Sequence, residues 1–295
     1  MYLINSTNST NSIAITFCAL GVIIFVVLFL LIPLISKSFM YHPYKATEKE
    51  FNDLTRICKR KTELVNFEST DKIKLTGMLI NYHKQAKWED IIFLYSHGNG
   101  SWLGGLLNSH QIDMLSNFGS VFAYDYRQYG MNDGNITELG TYNDVMGAWI
   151  FLTKTKNISP KKIIVYGHSM GGAVSTKLLS MLIDNNEELP LALILDGTFS
   201  NVIDMGNHIL PGFGWLSPYN YDNIKNLKNI EQHIIQTNKN LPIMVMHSEE
   251  DETVPFDQSL KIKENCKCHH VKVLGSHNVP IFNKHAINFL HTVVK

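Results

Sequence analysis

The chain has 295 residues, 45% hydrophobic and 18% charged, the composition of a globular domain with one sizeable core rather than of a disordered chain. Lysine plus arginine and aspartate plus glutamate number 26 each, so no basic surplus exists to draw phosphate backbones by counterion release, and nucleic acid is not an expected partner. The four cysteines, Cys18, Cys58, Cys266 and Cys268, are irregularly spaced, outline no disulfide framework and favour a reducing compartment.

Residues 1–12 form a tail rich in Asn, Ser and Thr, with Asn-Ser-Thr glycosylation signals beginning at Asn5 and Asn8. From Ile13 to Ile35 there is no charged residue and only Thr16 carries a hydroxyl. As a helix rising about 1.5 Å per residue this run covers about 34 Å, enough to cross a bilayer. The tail before it lacks lysine and arginine and no small-x-small site follows, so an uncleaved transmembrane anchor is expected rather than a signal peptide. Basic residues follow the span at Lys37, Lys45, Lys49, Arg56 and Lys59-Arg60-Lys61. The positive-inside rule then puts the C-terminal domain of a single-pass membrane protein in the cytoplasm.

Residues 36–62 read as a juxtamembrane linker, and residues 63–295 as one domain in which short apolar runs alternate with helical patterns. That alternation predicts an α/β architecture, a mostly parallel central sheet flanked by helices. Expected strands are Ile73–Ile80, Ile91–Tyr95, Ser120–Tyr124, Ile163–Tyr166, Leu191–Leu195, Pro242–Met246 and His270–Leu274. Three of them, at 91–95, 163–166 and 191–195, are apolar throughout, as strands covered on both faces must be. Between residues 197 and 240 the pattern loosens around Phe213, Trp215, Tyr219 and Tyr221, and a short cap is expected there.

Gly167-His168-Ser169-Met170-Gly171 follows the apolar strand ending at Tyr166 and precedes a helical run. A G-x-S-x-G motif in a strand, sharp turn and helix is the setting of a nucleophile elbow, with Ser169 as candidate nucleophile. A serine hydroxyl attacks only when an imidazole takes its proton, and that imidazole needs a carboxylate to hold its tautomer. Of thirteen histidines, His277 lies just past the last expected strand, at the sheet edge where such folds gather catalytic groups. Asp251, in the loop after the strand before it, is the preferred acid because Ser169, Asp251 and His277 then run in the order Ser, Asp, His; Asp196 is the rival. The loop His97-Gly98-Asn99-Gly100 stands where a backbone N–H of Asn99 joins that of Met170 in an oxyanion hole.

At these residues the sequence resembles the α/β-hydrolase superfamily, and within it the membrane-anchored abhydrolase-domain proteins related to protein depalmitoylases. The resemblance runs through Met40-Tyr41-His42-Pro43, His97-Gly98-Asn99, Asp125-Tyr126-Arg127-Gln128-Tyr129-Gly130, the serine elbow, Asp251 with Val254-Pro255, and His277-Asn278. It implies an α/β-hydrolase fold and places Arg127 and Tyr129 as braces of the active-site loops. Gln128, Ser248 and Ser276 stand where the family usually has glycine. The expected activity is hydrolysis of an ester or thioester through an acyl-enzyme, on an acylated lipid or lipidated protein at a membrane, with no cofactor implied. A peptidase or amidase on the same triad and a non-catalytic membrane scaffold are the alternatives. Cys266, Cys268, His269 and His270 match no common zinc spacing, and neighbours on a strand point to opposite faces, so no metal is expected there.

Overall fold

The computed structural model of the chain describes residues 5–57, 61–81, 88 and 90–294. The first element, α1 (Asn5–Met40), takes in the apolar run and extends it at both ends. Among the described residues no helix is long and apolar enough to cross a membrane. Several positions of the expected 13–35 anchor have side chains outside the described residues, as do residues 1–4 and Lys59-Arg60.

An extended strap, residues 41–47, leads into α2 (Glu48–Ile57), which buries Phe51 against the domain. Phe51 thus packs this part of the 36–62 juxtamembrane segment against the domain. Among the described residues eight strands follow: β1 (Lys61–Glu68), β2 (Lys74–Asn81), β3 (Ile92–Ser96), β4 (Ser120–Tyr124), β5 (Ile163–His168), β6 (Ala192–Asp196), β7 (Ile243–Ser248) and β8 (His269–Val273). They form one sheet in the order β1-β2-β4-β3-β5-β6-β7-β8. The β1–β2 and β2–β4 pairs are antiparallel, and all later pairings are parallel. The strand β1 was not expected. It is an edge strand whose side chains stay largely in water, so its sequence lacks the apolar run that marks β3, β5 and β6.

Helices α3 (Leu103–Leu106), α4 (His110–Ser116), α5 (Glu138–Ile150), α6 (Met170–Asp184), α7 (Val202–Ile209), α8 (Asn223–Thr237), α9 (Asp257–Asn265) and α10 (Lys284–Val293) complete the fold. Alternate residues of the central strands feed two cores. Leu94, Val165 and Leu193 meet α5, α6 and α8 on one face, while Phe93, Tyr166 and Ile194 meet α4 and α10 on the other. Each fully buried aliphatic side chain contributes roughly 1.5–3 kcal/mol. This two-sided burial is why the strands read as unbroken apolar runs.

The segment expected as a cap, residues 197–240, is divided. Its second half is α8, which covers the sheet beside α6 through Asn226 Nδ2 to Thr176 Oγ1 (3.2 Å) and Asn229 Nδ2 to Ser180 Oγ (2.8 Å). Its first half is an excursion closed at the neck by an antiparallel bridge between Asn201 and Asp222. There α7 buries no side chain fully, and Leu210, Phe213 and Trp215 are exposed.

Candidate active site

The parallel strands deliver their C-terminal ends to one edge of the sheet, and the residues singled out in the sequence gather there. Ser169 follows the fully buried β5 and precedes α6. Its backbone has φ +54° and ψ −122°, a left-handed conformation that costs a non-glycine residue roughly 1–3 kcal/mol. Neighbours hold it there: Ser169 N donates to Asp196 O (2.9 Å), and Ser169 O accepts from Gly172 N (2.9 Å) and Thr198 Oγ1 (2.7 Å). The turn thus lifts one hydroxyl out of the strand line at the N-terminus of a helix, where developing negative charge is favoured.

Asp251 and His277 are brought together. Asp251 Oδ2 accepts from His277 Nδ1 at 2.7 Å, while Oδ1 accepts from the N–H groups of Thr253 (2.9 Å) and Val254 (2.7 Å). Burial alone raises the Asp251 carboxyl, but hydrogen bonds from His247 and His277 outweigh it and hold the group well below the usual carboxylate range. A carboxylate has no proton to give, so Nδ1 of His277 carries the hydrogen and Nε2 is left with a lone pair. The two loops are further stitched by His277 N donating to Glu252 Oε2 (3.0 Å) and Gly275 N to Glu250 Oε2 (2.9 Å). The rival acid, Asp196, is engaged elsewhere, accepting from Tyr166 Oη (2.7 Å) and His168 Nδ1 (3.2 Å).

The His277 ring packs on that of His168, the residue before Ser169, with centroids 4.7 Å apart. Among the described residues, Ser169 Oγ makes no hydrogen bond to His277, whose bonds run to Asp251 and Glu252. In unliganded sites such contacts often form only when substrate enters.

The 97–100 loop approaches the serine from β3. A Cβ on Gly98 would lie 3.2 Å from Ser169 Cβ, a tight contact that glycine relieves. Asn99 comes next, half-buried, and Met170 is buried as the first residue of α6. His97, fully buried, packs on the rings of Tyr126 and Tyr129 at 4.5 and 5.5 Å. Tyr126 Oη donates to His97 O (2.9 Å) and Tyr129 Oη to Asn99 O (2.6 Å). Arg127 forks between Asp144 Oδ1 (2.7 Å) and Asp71 Oδ1 (2.6 Å), tying this turn to α5 and the β1–β2 turn.

Sequence reasoning passed over His247. This imidazole, wholly inside, sits with Nε2 3.1 Å from Asp251 Oδ2 and 2.9 Å from Val254 O, while its Nδ1 has no partner among the described residues. Both Nε2 contacts are acceptors, so Nε2 carries the hydrogen and the carboxylate oxygen that holds His277 is shared by two imidazoles. A histidine at a strand end carries no local pattern to mark it; only its spacing of four from Asp251 was available. Among the described residues no group of three or more potential ligands surrounds a metal site. His270 Nε2 instead meets Ser259 Oγ at 3.1 Å.

A mostly parallel sheet with a strained serine after a central strand, and an aspartate and a histidine in the loops after the last two strands, defines an α/β-hydrolase. Residues 135–277, from the approach to α5 through the histidine, match the prolyl oligopeptidase family model. A lysophosphatidylserine lipase of Danio rerio is 30% identical over 192 residues, 61% of this chain and 48% of that protein, so the chain spans about half the length of that relative. The alpha/beta hydrolase domain-containing protein 17B of Homo sapiens is 27% identical over 195 residues, 66% of this chain and 60% of that protein. An alpha-beta hydrolase structure from Vibrio vulnificus shares the fold, with TM-score 0.61 and 18% identity over 86% of this chain and 96% of that one. The chain belongs to the α/β-hydrolase superfamily.

Proposed function

We propose that the protein is a membrane-anchored serine hydrolase that cleaves ester or thioester bonds of acylated lipids or lipidated proteins. The observation that carries this reading is the buried Asp251–His277 hydrogen bond beside a serine held at positive φ. On substrate entry Ser169 Oγ turns toward His277 Nε2, gives up its proton and attacks the acyl carbonyl. The N–H groups of Met170 and Asn99 receive the oxyanion. His277 passes the proton to the departing alcohol or thiol, leaving an acyl-enzyme on Ser169. Water, deprotonated by the same imidazole, then releases the acid and restores the serine.

The anchor rests on the uncharged run from Ile13 to Ile35 and on the exposure of its described apolar side chains, Phe17 at 70% and Val22 at 62% among them. The acyl substrate class is supported by exposed Leu210, Phe213 and Trp215 on the cap and by the similarity to the lysophosphatidylserine lipase of Danio rerio. The match of residues 135–277 to a peptidase family model favours a second reading, a peptidase or amidase using the same groups. A panel of short- and long-chain esters, acyl thioesters and peptide anilides, with Ser169→Ala as the blank, separates the two. Esters or thioesters turned over in preference to anilides support the first reading. Anilide hydrolysis alone assigns the second, and no Ser169-dependent turnover of any class refutes both.

A further inference from the structure

Asn99 is held from a direction its place in the 97–100 loop does not suggest. Its side-chain Nδ2 donates to Met40 O at 3.1 Å, and its carbonyl accepts from His42 N at 3.1 Å and from Tyr129 Oη at 2.6 Å. Met40 closes α1, so the Asn99 amide caps one of the last carbonyls of that helix, groups that have no partner within the helix itself. Pro43 keeps His42 out of the helical region, and the chain leaves α1 extended, with the His42 N–H presented sideways.

The strap is itself fixed along its length. Tyr41 packs edge-on against Tyr219 at 5.3 Å, and its hydroxyl shares a 2.9 Å hydrogen bond with Tyr221 Oη, which meets Thr141 Oγ1 at 2.9 Å. Tyr44 stacks on Trp102 at 4.9 Å. Gly130 N donates to Tyr44 O (2.8 Å) and Ala46 N to Gly130 O (3.0 Å). Among the described residues the backbone N–H of Asn99 is left without a partner, next to Gly98, where a Cβ would lie 3.2 Å from Ser169 Cβ.

We propose that residues 40–44 are a positioning element of the oxyanion hole, holding Asn99 at two points, Met40 O and His42 N, with Tyr129 Oη as a third, so that its N–H keeps its direction as charge develops on the acyl oxygen. The inference rests on the serine hydrolase reading. A donor stabilises a transition state to the extent that it is fixed beforehand. The bonds to the Asn99 carbonyl and side chain fix its Cα and the peptide unit that follows, while Gly98 O, in the same peptide unit as the Asn99 N–H, accepts from Ser101 N at 3.3 Å, so the N–H direction is held from both sides. The end of α1 then belongs to the active site and is more than a tether.

The test uses the full chain with Asn99→Ala, which keeps the backbone N–H but removes the grip on Met40, and Tyr129→Phe, which removes one bond to the Asn99 carbonyl. In each, kcat on a soluble ester falls about 10- to 100-fold, less than or near the loss of a whole oxyanion donor, while KM moves by no more than about twofold. Affinity for a trifluoromethyl ketone, whose hemiketal oxyanion occupies the hole, falls by the same factor as kcat/KM. A merely structural role lowers the melting temperature without that proportionality. Should Asn99→Ala fail to fold, Tyr129→Phe carries the test. Folded variants with unchanged kcat, or with a loss confined to KM, overturn the clamp while leaving the hydrolase reading intact. A wild-type chain that neither hydrolyses esters nor binds the ketone refutes the reading beneath it.

Discussion

Replacing Asp251 by Asn removes one oxygen's charge and leaves the shape, which isolates what the carboxylate does. Oδ1 of the aspartate accepts from Thr253 N and Val254 N at 2.9 and 2.7 Å, and an asparagine oxygen takes over that role. The new NH2 group must then occupy the place of Oδ2, facing His277 Nδ1 and His247 Nε2, which stand 2.7 and 3.1 Å away. Both ring nitrogens are donors, so donor meets donor. His277 escapes by moving its hydrogen to Nε2, which removes the lone pair that takes the serine proton. The expected loss in kcat is about 10³- to 10⁴-fold. Stability falls by roughly 1.5–3 kcal/mol for each charge-assisted hydrogen bond lost. Asp196→Asn serves as comparison, since that carboxylate bonds Tyr166 and His168 rather than His277. It is expected to lower stability and to change kcat by less than about tenfold, because it leaves the His277 tautomer untouched. Steady-state hydrolysis of a short acyl ester, at equal concentrations of folded protein, checks both. A larger kcat loss in Asp196→Asn than in Asp251→Asn refutes the assignment of the acid.

Four further outcomes are expected. Gly197 has φ +54°, and a Cβ there would lie 3.2 Å from Asp251 Oδ2 and 3.4 Å from His277 Nδ1; Gly197→Ala should lower kcat at least about tenfold through crowding of that pair, with thermal unfolding showing a folded protein. Because the Asp251 carboxyl is held below its ordinary value, its contribution to stability is complete above about pH 4 and is lost as pH falls toward the lower folded value; the melting-temperature gap between wild type and Asp251→Asn should narrow on acidification and stay constant above about pH 5. A chain shortened to begin at Lys37 should leave membranes, keep its turnover of a water-soluble ester and lose turnover of an ester embedded in vesicles, since anchoring raises local concentration at the surface. Shortening to Thr47, which also removes the strap, should abolish soluble-ester turnover, and equal activity of the two shortened chains contradicts the clamp.

How much of this was legible depended on where burial imposes a pattern. Strands β3, β5 and β6 are covered on both faces, so Ile92–Ser96, Ile163–His168 and Ala192–Asp196 announce themselves as apolar runs, correct to within two residues at their ends. The edge strand β1 buries little and leaves no such mark. Helix α8 hides Leu227 and Ile230 among Asn, Lys and Gln, so a sheet-covering helix reads as part of a loose cap. In the candidate site, loop position and chain order single out Asp251 and His277, which lie within hydrogen-bond distance at 2.7 Å. His247 and the Met40–His42 strap were not found. The first is one histidine among thirteen, and the second acts through backbone carbonyl and N–H groups, which every residue carries and no sequence pattern distinguishes.

The most direct measurement is reaction of the full chain with a fluorophosphonate, followed by mapping of the adduct by tandem mass spectrometry. The elbow, the Asp251–His277 pair and the loop at Asn99 predict a single adduct on Ser169, abolished in Ser169→Ala and slowed by orders of magnitude in His277→Ala. An adduct on another residue, or undiminished labelling in folded Ser169→Ala, would contradict the proposal that this serine is the nucleophile.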